Sequence, residues 1–149
     1  MKKLIAILFV IVLFTSCSTV ELPAPEALYE GIAENIDIGE MYDLSDEMLE
    51  DLTGITSDLY TEAIYMTYGT GISPEEIIII KAVDSASLTN IKEKLEKRLA
   101  YIKKSAENYL IEELPTIEKA VIRQDGLTLS LIVSSKVEEI TELYNSYKK

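Results

Sequence analysis

Lys119-Ala120-Val121-Ile122-Arg123-Gln124-Asp125-Gly126-Leu127-Thr128-Leu129-Ser130-Leu131-Ile132-Val133-Ser134 decides the fold class. Two extended apolar segments, 119–124 and 127–134, flank Asp125-Gly126. Asp-Gly between strands is a strong signal for a two-residue hairpin, because the turn needs positive φ. In the second segment Leu127, Leu129, Leu131 and Val133 share one face, while Thr128, Ser130 and Ser134 share the other. The alternation predicts a sheet with a drier and a wetter side.

A second pair of strands is predicted upstream. Residues 59–68 are rich in Tyr, Thr and Ile, and residues 76–83 carry Ile77-Ile78-Ile79-Ile80. Ser73-Pro74-Glu75-Glu76 between them has the form of a capping box and allows one helical turn. Residues 88–109 predict a long amphipathic helix: Leu88, Ile91, Leu95, Leu99, Ile102, Ala106 and Tyr109 recur three and four apart. Ser135-Lys136-Val137-Glu138 opens a last helix that buries Val137, Ile140 and Tyr144. Two helical stretches precede the strands. Leu28, Ile32 and Ile36 mark one over 26–36, and Ser45 caps another that stops at Gly54. The expected fold is α+β: an antiparallel four-stranded sheet in ββαββα order, with helices on one face, preceded by two short helices.

The extreme N-terminus has a different character. Met1-Lys2-Lys3 is basic, and 4–14 is an eleven-residue apolar run. That is too short for a comfortable membrane span, which takes roughly 20 residues, and it has the length of a signal-peptide core. Thr15-Ser16-Cys17 follows and resembles a bacterial lipobox, although Phe14 stands where that motif prefers Leu. The reading is a signal peptide over 1–16, lipidation of Cys17, a tether over 17–25 and a single domain over 26–149. The protein is then extracytoplasmic and held to the cell membrane by its lipid.

Composition narrows the function. The 149-residue chain has a formal charge of −12, which disfavours a nucleic-acid partner. It has no His, no Trp and one Cys, which excludes Ser-His-Asp and Cys-His catalysis and His- or multi-Cys zinc sites. No motif points to a cofactor. From Leu4 to Ile80 there are fifteen acids and no Lys or Arg. An acidic module of this kind suits a basic partner surface or divalent cations. The acids are densest at Asp43, Asp46, Glu47, Glu50 and Asp51. The plainer reading of these is a solvated helix face. Tyr65, Arg123, Thr128 and Ser130 are expected on the wetter sheet face, as a possible interaction patch.

The pattern resembles the bacterial lipoproteins grouped as domain-of-unknown-function family 4358. The residues that carry it are 73–84, the helix from Ile91 to Tyr109, and Ile117 to Ile122 leading into the hairpin. The resemblance implies a lipoprotein context and supplies no catalytic residue. The leading expectation is a non-enzymatic, membrane-anchored binding or accessory module for a protein or envelope component. The alternatives are a carboxylate-based cell-wall enzyme and an accessory subunit of a membrane transport complex.

Overall fold

The computed structural model describes residues 21–44, 46–68 and 73–148, with the side chains of Asp46 and Glu47 excepted. Cys17, the apolar run and the Ser45 cap lie outside the described residues. In chain order the elements are α1 (Pro25–Asn35), β1 (Met41–Asp43), α2 (Asp46–Thr53), β2 (Tyr60–Tyr68), β3 (Glu76–Ala82), α3 (Ser85–Tyr109), α4 (Leu114–Glu118), β4 (Val121–Asp125), β5 (Thr128–Val133) and α5 (Val137–Ser146). Single 3₁₀ turns occupy Ser57–Leu59 and Ile111–Glu113.

The sheet has five antiparallel strands in the order β1-β2-β3-β5-β4, which corrects the expected four. The added strand, β1, is three residues long and pairs Met41 to Asp43 with Tyr68 to Met66. Three residues carry too little alternation to be seen in sequence, and their order comes from β2 rather than from local propensity.

The expectation of helices on one face is also overturned. Ile78 and Ile80 pack with Leu88, Ile91 and Leu95 of α3 and with Leu49 of α2. Ile77 and Ile79 pack on the opposite face with Leu28 and Ile32 of α1 and with Ile140 and Tyr144 of α5. All four isoleucines are 0% exposed. A strand covered on both sides reads as a continuous apolar run, which is what 77–80 is. The expected wetter side is therefore a second buried face: Thr128, Ser130 and Ser134 are all buried.

Smaller differences have local causes. Asp125 pairs with Thr128, so the hairpin loop is Gly126-Leu127, one residue later than expected. Gly126 has φ +60° at the first central position, where a type II′ turn needs it. Residues 73–75 form no helical turn. Instead the Glu75 N–H donates to Ser73 Oγ at 3.2 Å, a local turn that leads into β3. Asp84 caps α3 by accepting from the Ser87 N–H at 2.7 Å.

Residues just before 26 also contact the fold. Leu22 is buried in the α1/α5 core, and Lys81 Nζ donates to Glu21 Oε1 at 2.7 Å. That hydrogen bond, and then the lysine's charge, hold the Glu21 carboxyl below its ordinary range. No described helix is long and apolar enough to cross a membrane.

Candidate functional site

The described side chains among those singled out from sequence each have a definite place. Tyr65 points to the α3 face and is 2% exposed. Its hydroxyl donates to Glu76 Oε2 at 2.8 Å and accepts from Arg98 Nη2 at 2.9 Å. Arg98 grips the Glu76 carboxylate with both Nε (3.1 Å) and Nη2 (2.7 Å). Burial, and then the charge of Glu76, push the Tyr65 hydroxyl well above its ordinary pKa. Burial opposes the Arg98 charge, but Glu76 and Tyr65 outweigh it and raise the arginine's pKa. The cluster is closed on itself and holds β2, β3 and α3 in one register.

Arg123, Thr128 and Ser130 lie on the other side of the sheet, so the structure separates them from Tyr65. Ser130 Oγ and the Tyr144 hydroxyl share a hydrogen bond of 2.9 Å. Arg123 Nε donates to Asp125 Oδ2 at 2.6 Å and Nη2 to Asn145 Oδ1 at 2.7 Å, while its guanidinium sits 5.1 Å from the Tyr144 ring centroid. Lys148 also pairs with Asp125. These contacts fasten α5 onto β4 and β5.

Asp43 is likewise separated from Glu50 and Asp51. Asp43 lies on the α1 side of the sheet, where its charge adds to burial in raising the Tyr29 pKa. Glu50 and Asp51 are exposed on α2, which packs on the α3 side through Leu49. Among the described residues no group of three or more Asp, Glu, Cys or His is placed to hold a metal ion.

An open cleft of about 450 Å³ lies instead at one end of the sheet. Asp37, Ile38 and Gly39 reach it from the loop after α1, Tyr68 from the end of β2, and Ser73 and Glu75 from the approach to β3. Glu113, Thr116 and Ser135 complete it. Three carboxylates and three aliphatic hydroxyls thus share one concave surface. Glu75 Oε1 accepts from the Ser135 N–H at 2.6 Å, tying the β3 and β5 ends together. Gly39 has φ +72°, and a Cβ there would stand 2.5 Å from the Tyr68 hydroxyl, so the wall requires glycine. The chemistry suits a cationic or hydroxyl-rich group.

Sequence reading missed this site because its residues come from six segments that only the tertiary fold unites. The one local signal was Ser73-Pro74-Glu75-Glu76, whose last two residues have opposite fates. Glu75 faces the cleft and Glu76 is buried under α3.

A family model, described as a domain of unknown function (DUF4358), matches residues 34–134. The chain therefore belongs to that family. No curated protein and no solved structure matches it.

Proposed function

We propose that this DUF4358 chain is a lipid-tethered, extracytoplasmic binding module that presents its acidic cleft to a protein or envelope component. The supporting observation is spatial. Cys17 stands four residues before Glu21, a span of at most about 14 Å for an extended chain. Glu21 is fastened to Lys81 near the end of β3, and Leu22 is already in the core. A lipid on Cys17 holds that end of the sheet close to the bilayer.

The cleft is at the other end, beside Glu75 at the start of β3. The seven residues of β3 put about 20 Å between the two ends. A membrane-held domain of this shape turns its cleft outward. Two or three acyl chains, at roughly 0.8 kcal/mol per buried methylene, make such a tether stable. The basic n-region, the eleven-residue apolar run and Thr15-Ser16-Cys17 are the sequence support for it.

Chemical cross-linking in intact cells tests the reading. The native chain is expected to yield a reproducible cross-linked partner, and the Asp37→Lys/Glu113→Lys double variant to lose it while still folding. Equal recovery with both chains would remove the cleft from the function.

A further inference from the structure

The acidic cleft does not end at Ser135. A small depression of about 120 Å³, lined by Pro115, Thr116, Lys119 and Ser135, shares two of those residues with the cleft. Lys119 in turn begins a groove of about 390 Å³ with Val121 of β4 and Val137, Glu138, Thr141 and Glu142 of α5. The three follow one another along the surface, each sharing lining residues with the next, and are taken together as a trough. It runs from the carboxylates at the end of the sheet to the flank of β4.

β4 is an edge strand, and β5 is its only sheet neighbour among the described residues. Its second edge has no strand partner among the described residues, and such an edge is a template for another strand. α5 runs alongside in the same direction: Val121 lies by Val137 and Thr141, Arg123 meets Asn145, and Asp125 meets Lys148. A strand edge flanked by a helix, with Val121 and Val137 giving an apolar floor at the start of the strand, resembles the geometry of peptide recognition by strand addition.

Charge selects the occupant. The cleft end carries Asp37, Glu75 and Glu113. Along the groove Glu142 is exposed, and Glu138 pairs with Lys119 at 3.2 Å, with both side chains more than half exposed. An exposed pair of this kind is worth little and yields readily to another cation.

We propose that the trough binds an extended polypeptide segment as a sixth strand on β4, with apolar side chains over Val121 and Val137 and basic residues running into the acidic cleft. This deepens the binding-module reading and rests on it for the cleft. Every strand pair in the sheet is antiparallel, so the basic residues belong at the segment's C-terminal end, next to the start of β4.

The probe is the synthetic peptide acetyl-Thr-Val-Thr-Val-Thr-Lys-Lys-amide, added to the ¹⁵N-labelled soluble domain (residues 18–149 of the full chain, which include every described element). Amide shifts are expected at 121–125, at 137–142 and around the cleft. Methylating alternate peptide amides should abolish the β4 shifts. Glu142→Lys, an exposed change, should weaken binding up to about fivefold. Shifts confined to the cleft would overturn strand addition and leave the cleft reading standing. No shift anywhere at millimolar peptide would overturn both. Self-association of the free domain through 121–125 would give the edge to a second copy and overturn the peptide proposal.

Discussion

Arg98→Ala is expected to destabilise the domain by about 3–5 kcal/mol, because it strands the Glu76 carboxylate in the interior. The side chains of Glu76 and Arg98 are only 3% and 13% exposed, and the arginine supplies two of the three side-chain hydrogen bonds that the carboxylate receives. No buried side-chain nitrogen or oxygen among the described residues lacks a partner, so the wild-type network has no slack to absorb the loss. The Glu76→Gln/Arg98→Met double variant should lose less than Arg98→Ala, since neither charge then remains buried. Urea denaturation of the three chains measures this. A loss below about 1 kcal/mol for Arg98→Ala would mean that the cluster is solvated, as an ordinary surface pair is.

The second large effect concerns β3. Ile79→Ala and Ile80→Ala should each cost about 2–5 kcal/mol, the range for truncating a fully buried isoleucine. Neighbouring residues on a strand point to opposite faces, so equal sensitivity at adjacent positions is the signature of a sheet covered on both sides. Ile79 reports the core under α1 and α5, and Ile80 the core under α2 and α3. If one substitution were tolerated at under about 1 kcal/mol, that face of the sheet would be open, as in the one-sided arrangement expected from the alternation in β5.

The same strand shows what the sequence made legible. The four isoleucines marked β3 as a strand, and Asp125-Gly126 marked the hairpin to within one residue. The periodicity of 88–109 marked α3, which the structure extends back to Ser85 through the Asp84 cap. What escaped was the second layer. Thr128 and Ser130 look like solvent-facing residues because they are polar. Ser130 is instead buried beneath the Tyr144 hydroxyl, which satisfies it, and sequence alone does not reveal that partner. Strand alternation sets Tyr65 opposite Ile64 and Met66, as the structure does, but the face it occupies is covered by α3, where Glu76 and Arg98 take water's place. β1 escaped because Met41-Tyr42-Asp43 is extended only through its pairing with β2.

The candidate site was the least legible part. Asp37, Glu75, Glu113 and Ser135 are scattered over about a hundred residues and carry no shared motif. Of the acids that stood out in sequence, Asp43 lies on the α1 side of the sheet, whereas Glu50 and Asp51 lie on α2, on the α3 side. Density along the chain proved a poor guide to convergence in space, because helix and strand geometry direct neighbouring carboxylates apart.

The proposed outward aspect of the cleft depends on the covalent state of Cys17, through which the proposed tether would act. Mass spectrometry of the N-terminal peptide, taken from protein extracted from cell membranes, reads that state directly. The expected result is a mature chain that starts at Cys17 and carries a diacylglyceryl adduct on its thiol. An unmodified Cys17 thiol, in a chain that starts elsewhere or keeps the apolar run, would contradict it.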